Sequence, residues 1–298
     1  MPSFYSHGKL LLTAEYAILK GAKGLAVPCK KGQHLKFQSD KSLKLSWKSY
    51  DWQDSLWFNA IFKLPEIKII EASELSIAKR LQTILRFAKN KNSTFLREGG
   101  EVQTRLEFDL QWGLGSSSTL ISNIGLWAQI DPYILGENSF GGSGYDIACA
   151  IAKGPVFYTR NEKKPQIESI DFLPPFSDQL YFVYLNQKKD SQKAVQNFNL
   201  NSITLFHIKA INKITNQIAI SKSLQEFENL IEQHEILIGK LIKQNPVKTE
   251  LFPDFPRVIK SLGAWGGDFI LATGDLSSMD YFYEKGFSTI IPFREMCL

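Results

Sequence analysis

Cysteine is scarce in this chain of 298 residues: Cys29, Cys149 and Cys297 are odd in number and far apart. They imply no disulfide framework, contain no C-x-x-C metal pair, and fit a reducing compartment best. Long apolar runs are missing too. No segment approaches the roughly 20 residues needed to cross a bilayer. Lys9 and Glu15 interrupt the apolar N-terminal stretch, which is unlike a signal peptide. The expectation is a cytoplasmic protein with no membrane partner. Charge of one sign is not in excess either, since 35 Lys and Arg against 30 Asp and Glu leave a net +5. That balance suits an anionic small substrate without demanding one. The lysine pairs Lys30-Lys31, Lys163-Lys164 and Lys188-Lys189 are scattered instead of forming a basic stripe, so no nucleic-acid partner is expected.

Several familiar motifs are absent as well. There is no G-x-x-x-x-G-K-[ST], no complete G-x-G-x-x-G and no kinase catalytic-loop signature. His234-Glu235 begins like a zinc-protease helix, but Ile238 stands in place of the second histidine. The hydrolase elbow G-x-S-x-G fails at Tyr145. No internal repeat or low-complexity tract occurs.

What is there is an ordinary core-forming composition, 44% hydrophobic and 22% charged, on a chain long enough for two modest domains or one large one. Lys9 to Leu19 reads as a buried strand with a bend, and residues 33–47 and 55–64 carry β-favouring residues. Leu75, Ala78, Leu81, Ile84, Leu85 and Ala88 share one face of a helix over Ser73–Asn90, with Ser73 as candidate N-cap. Val102, Thr104, Leu106 and Phe108 alternate with polar residues, the pattern of a half-buried strand. A small-residue helix follows Tyr145, and Val156–Tyr158 starts another strand. The proline-bearing stretch 161–178 reads as a connection between lobes. Beyond it come a strand at Leu180–Leu185, a helix at Leu224–Ile242, and strands at Phe269–Ala272 and Phe287–Pro292.

The most informative run is Gly113-Leu114-Gly115-Ser116-Ser117-Ser118-Thr119, placed after the alternating strand and before an apolar helical segment, Leu120–Ile130. Glycines permit a tight path with positive φ. Exposed amides at a helix start, its dipole and a row of hydroxyls make an anion cradle. A serine-capped turn explains the run alone almost as well. Two further glycine-rich segments stand in order after it, 141–146 and 263–268.

Together these segments resemble the GHMP kinase superfamily, and within it the mevalonate and phosphomevalonate kinases. Gly8-Lys9-Leu10-Leu11-Leu12-Thr13-Ala14-Glu15-Tyr16-Ala17-Ile18-Leu19 is similar to the opening G-K-x-x-L-x-G-E-Y-A-V-L. Gly113–Ser118 matches the ATP-phosphate loop G-L-G-S-S-A. Ser143-Gly144-Tyr145-Asp146-Ile147-Ala148 is close to S-G-F-D-V-A, and Gly263–Asp268 is similar to G-A-G-G-G-D with Lys260 three residues upstream. Ala14 and Trp265 depart from glycines of the pattern, His7 stands where proline is frequent, and Asp109 takes the place of another proline.

The resemblance implies an α+β, two-lobed kinase. Its N-terminal lobe would be ribosomal-S5-like (an ATP-binding domain over 1–165) and its C-terminal lobe ferredoxin-like (166–298), with ATP and substrate in the cleft. The implied cofactors are ATP and Mg²⁺. The implied partner is a small-molecule hydroxyl or phosphate substrate, with mevalonate or phosphomevalonate leading and homoserine, sugars or a cytidyl-linked erythritol still open. A homodimer is compatible with it. Gly113, Leu114, Gly115, Ser116, Ser117 and Ser118 would hold the ATP phosphates, with Ser117 also serving the metal. Asp146 would be catalytic, orienting the acceptor hydroxyl and accepting its proton, and Lys9 would pair with it. Glu15 and Glu137 are the candidate Mg²⁺ carboxylates, Glu137 lying nine residues before Asp146. Glu15, Ser143, Gly144, Gly263, Trp265, Gly266 and Gly267 are candidate substrate contacts, and Ser261 and Asp268 weaker ones. The bland readings are capping for the serines and Asp146, solvation for Lys9, and core packing for helix 224–242. A non-catalytic ligand-binding or regulatory member of the fold is the alternative, motivated by Ala14 and Trp265.

Overall fold

Alternation of apolar and polar residues builds the first sheet. The structure, a computed structural model, describes residues 1–139, 141–161, 164–189 and 191–298, so Lys163 lies outside the described residues. The chain divides into two compact units. Unit 1 comprises Met1–Gly8, Lys31–Leu110 and Leu114–Ile151, and unit 2 comprises Lys9–Lys30, Gln111–Gly113 and Ala152–Leu298.

Strands β1 (Ser3–Leu11) and β2 (Gly24–Ser39) each run from one unit into the other. Within unit 1 the second half of β2 pairs antiparallel with β6 (Gly100–Leu106). β6 pairs parallel with β3 (Lys44–Tyr50), and β3 pairs antiparallel with β4 (Leu56–Lys63), which pairs with β5 (Lys68–Ala72). In register, Trp47 faces Val102 and Leu35 faces Thr104. The inward residues Leu35, Leu45, Trp47, Phe58 and Phe62 meet one core with helices α1 (Leu75–Lys91), α2 (Ser116–Ala128), α3 (Pro132–Ser139) and α4 (Tyr145–Ile151). Each fully buried Leu or Phe there stabilises by about 1.5–3 kcal/mol.

In unit 2 the first half of β2 pairs with β7 (Val156–Thr159), and β7 with β8 (Gln166–Ser169). A short helix α5 (Ser191–Gln196) precedes the long pair α6 (Leu205–Ile220) and α7 (Leu224–Ile242), which pack together, and then α8 (Val247–Leu251). β10 (Ile259–Ser261), β11 (Phe269–Thr273), β9 (Leu180–Tyr184) and β12 (Ile290–Pro292) form an antiparallel sheet in that order. Helices α9 (Asp280–Glu284) and α10 (Phe293–Met296) flank β12 in sequence.

Several boundaries differ from those read in the sequence. The strand expected over Lys9–Leu19 is β1, which ends at Leu11, and a turn and a short 3-10 helix at Ala17–Lys20 follow. Helix α1 is capped by Glu74, whose carboxylate accepts from the Ser76 amide at 3.1 Å. Ser73 is instead drawn into the β4–β5 edge, where its hydroxyl accepts from Asn59 N–H and donates to Asn59 C=O. The polar 161–178 stretch contains the exposed strand β8, held by its ladder with β7 and not by burial. The last strand is shorter than expected, at Ile290–Pro292.

Candidate active site

In unit 1 the glycine-serine run opens helix α2 as its composition demands. Gly115 is the N-cap with φ 90° and ψ 41°, left-handed values that a side chain would oppose. Lacking a side chain, Gly115 caps nothing, and the helix ladder begins only with Thr119 N–H donating to Gly115 C=O at 3.0 Å. The amides of the preceding turn are the orphan donors every helix start carries. Ser118 donates its hydroxyl to Gly115 C=O at 2.8 Å, and Thr119 donates to Gln33 Oε1 at 2.7 Å. Ser116 and Ser117 remain unengaged among the described residues, half-buried and exposed respectively. Leu114 is buried and anchors the run. The segment therefore fits an anion: its first-turn amides are left to an outside partner, and the Ser118 and Thr119 hydroxyls already hold the backbone.

Asp146 lies in the first turn of α4, half-buried, after the half-buried Ser143 and Gly144. Its helix buries Ile147, Ala148, Cys149 and Ala150, which fixes the carboxylate on the less buried side. Glu137 is exposed on α3. Among the described residues, no three His, Cys, Asp or Glu groups gather as a metal cage.

In unit 2, Lys9 is half-buried near the end of β1. Gly113 is held in this unit by its neighbours: Tyr184 donates its hydroxyl to Gln111 C=O at 3.2 Å, and Trp112 packs edge-on against Phe269. A side chain on Gly113 would collide with the Asp268 carboxylate, so that close approach requires glycine. Asp268 also accepts from the Lys189 amide at 3.2 Å. Burial raises its pKa, while the charges of Lys9, Lys188 and Lys189 pull it back down. Lys189 also lies against the loop: a side chain on Gly267 would meet its Cβ at 2.9 Å, and one on Gly266 its ammonium at 3.5 Å.

Ala14 and Trp265, where the resemblance expects glycine, have φ of 70° and 55°. Both keep a backbone suited to glycine at a cost on the order of 1–3 kcal/mol each. Trp265 is 2% exposed, and its indole sits over Gly239 of α7 and 5.8 Å from the Lys260 ammonium.

Beneath these loops lies a cluster of charged groups. Lys260, on β10, is ion-paired with Glu15 and, at 2.9 Å, with Glu235 of α7. It also donates to Ser261 C=O. Glu235 Oε2 accepts from the Ser261 amide at 3.0 Å and the Ser261 hydroxyl at 2.5 Å. Ala14 N–H donates to His234 Nε2 at 3.0 Å, which leaves the ring proton on Nδ1 in the neutral tautomer. His234 Nε2 is 3.6 Å from Glu15 Oε2, and both side chains have 0% exposure. Burial pushes Glu15 up to about 7 against the pull of Lys260. Burial and then the Lys260 charge hold His234 well below its ordinary value. Burial alone would depress Lys260, but the Glu15 and Glu235 charges raise it. The two partners' shifts pull on one proton balance, since a protonated Glu15 would lend Lys260 less support. Glu235 at 2.9 Å secures the charge on Lys260 in either state.

Unit 1 thus gathers Ser116, Ser117 and Asp146 on neighbouring packed helices, and unit 2 gathers Lys9, Gly113, Gly263, Gly266, Gly267 and Asp268. The side chains of Glu15 and Trp265 are turned into the core of unit 2. Sequence reasoning missed His234 and Glu235 as site-forming residues. The signal was there: Glu228, His234 and Glu235 fall on the apolar face of α7 and are buried with Phe227, Ile231 and Ile238.

No protein-family model matches the sequence, and no curated protein matches it. Solved structures do match. The mevalonate kinase of Methanococcus jannaschii is 14% identical, with 97% of this chain and 96% of that one covered at a TM-score of 0.70. The Streptococcus pneumoniae phosphomevalonate kinase, in complex with phosphomevalonate and AMPPNP, is 16% identical, with 97% and 99% covered at 0.69. The Lactococcus lactis galactokinase complexed with galactose is 13% identical, with 95% and 87% covered at 0.65. The chain therefore has the α+β fold of these GHMP-type kinases.

Proposed function

We propose that this chain is a Mg²⁺- and ATP-dependent small-molecule kinase of the GHMP type. It transfers a γ-phosphoryl group to a hydroxyl or phosphate acceptor, with mevalonate or phosphomevalonate leading. One observation carries this reading. At a left-handed Gly115, first-turn amides and two serine hydroxyls stand unengaged, in a fold shared along 97% of the chain with kinases.

Phosphoryl transfer asks the protein mainly for positioning and charge stabilisation. ATP would supply the phosphoryl group, and Mg²⁺ would offset charge on its phosphate oxygens. The amides of Gly115–Ser118 bind the phosphates, with Ser116 and Ser117 hydroxyls donating to them or, through Ser117 with Glu137, serving the metal. Asp146 orients the acceptor hydroxyl and takes its proton as the new bond forms, a role that an ordinary carboxylate performs late in the reaction. Lys9 steadies the negative charge developing on the attacking oxygen. Ser143, Gly144, Gly263, Gly266 and Gly267 let backbone approach the acceptor. Glu15 and Trp265 take part through the backbone they hold. The positive φ of Ala14 and Trp265 supports this reading over a non-catalytic one, because both glycine-type turns are kept.

The test is ADP release by the purified full chain with Mg²⁺-ATP across hydroxyl acceptors and their monophosphates. At least one acceptor should stimulate turnover, and Asp146→Asn should lower it by about 10²-fold or more. A chain that binds AMPPNP but responds to no acceptor belongs to the non-catalytic reading.

A further inference from the structure

We propose that His234, Glu235 and Lys260 are positioning residues that lock the turn after β1, Ala14–Tyr16, to the third glycine loop, Gly263–Asp268. The kinetic consequence rests on the kinase reading above, whereas the lock itself rests on geometry alone.

Three separate attachments join the segments. The Ala14 amide is held by His234 Nε2 at 3.0 Å. The Glu15 carboxylate is held by Lys260, which Glu235 also engages at 2.9 Å while accepting both Ser261 donors. The Tyr16 hydroxyl donates to Ala264 C=O at 3.3 Å, inside the loop. Ala14 and Tyr16 have φ of 70° and 60°, conformations that persist only where their surroundings impose them. Two of the three attachments pass through helix α7, which carries His234 and Glu235 as adjacent residues on its buried face.

A buried ion cluster is a poor way to stabilise a core, because apolar packing of the same volume does as well or better. What the cluster offers over apolar packing is direction: Lys260 and Glu235 can meet their several partners only with the turn, β10 and α7 in one arrangement. Trp265 closes the cluster, its indole resting on Gly239 and facing the Lys260 ammonium. At the far ends of the locked segments stand Lys9 and Asp268, close enough for the Lys9 charge to act on Asp268. Fixing the turn against the loop fixes the cation that the kinase reading assigns to the attacking oxygen.

The test compares His234→Leu, which removes the acceptor of the Ala14 amide, with His234→Gln, which can restore one. Hydrogen exchange of peptides covering 10–18 and 260–268 is read beside peptides of α1. Exchange in both segments should rise about tenfold or more in His234→Leu with α1 unchanged, as expected for local opening. His234→Gln should return it toward the native rate. With an active acceptor, kcat should fall about 10- to 100-fold in His234→Leu while KM for ATP stays within about twofold, the signature of lost positioning. If His234→Leu does not fold, Glu235→Gln is read in the same way. Exchange that rises only in α7, or uniformly along the chain, overturns the lock, as does a Gln variant no better than the Leu one. If no acceptor supports turnover but both segments loosen together, the lock stands and the kinase reading fails.

Discussion

The glycine loop of unit 1 and the glycine loop of unit 2 solve opposite problems. At Gly115–Ser118 the backbone donors and two hydroxyls are left unengaged, and only Ser118 and Thr119 are spent on holding the turn. At Gly263–Asp268 the buried side chains behind the loop are spent on holding it. Lys260, Glu235, Ser261 and Trp265 brace the loop from behind, and Lys189 lies across Gly266 and Gly267. A site for a polyanion can be made from unsatisfied helix-start donors, because the ligand completes them. A loop that must present backbone at a fixed place needs buried partners that leave it no alternative. The same residue type, glycine, opens a helix through a left-handed turn in one loop and allows close backbone approach in the other.

The comparison breaks most sharply at Asp146. Replacing it with Asn should lower turnover by about 10²–10⁴-fold while AMPPNP affinity stays within about twofold, because the kinase reading has the carboxylate act on the acceptor and not on the nucleotide. Steady-state kinetics beside a nucleotide titration checks both halves. Next in size is Lys260→Met, which leaves Glu235 and Glu15 buried without their cation. Urea unfolding should show a loss of about 3–5 kcal/mol. Ser117→Ala in the unit 1 loop should change stability by less than about 0.5 kcal/mol, as exposed surface substitutions do.

Two further effects sharpen the contrast. Gly115→Ala forces a side chain into φ 90° and should weaken AMPPNP binding severalfold, for a strain cost of about 1–2 kcal/mol. The pH dependence of stability should single out Glu15. Its folded pKa, about 7, lies above the unfolded 4.5, so the folded state holds a proton that the unfolded chain releases. Its contribution is full below 4.5 and is lost as pH rises through about 7. His234, depressed by burial, contributes above 6.5 and loses that contribution as pH falls. In thermal scans from pH 5 to 8, Glu15→Gln should remove the downward contribution between about pH 5 and about 7, with little change above. An unchanged slope would place the proton elsewhere.

Much of this was legible in the sequence, and the limits are instructive. Helix α7 was readable to its ends, Leu224 and Ile242, because Phe227, Leu230, Ile231, Ile238 and Ile242 repeat with helical period. The glycine turn into α2 was readable because glycines and hydroxyls follow an alternating strand. The brace was not. Its partners, Glu15 and Lys260, are 245 residues apart, and periodicity carries no information over that span. His234-Glu235 stood out as a metal motif lacking its second histidine, but their pairing with Ala14 and Ser261 exists only once α7 and β10 are packed. Nor does a sequence show that Ala14 and Trp265 keep φ values suited to glycine.

Phosphoryl transfer itself is tested most directly by mass spectrometry of the acceptors after incubation with Mg²⁺-ATP carrying an ¹⁸O-labelled γ-phosphoryl group. The account predicts that one acceptor gains the labelled group with the native chain and about 10²-fold less of it or lower with Asp146→Asn. Labelled inorganic phosphate without any phosphorylated acceptor, or equal product from both proteins, would contradict it.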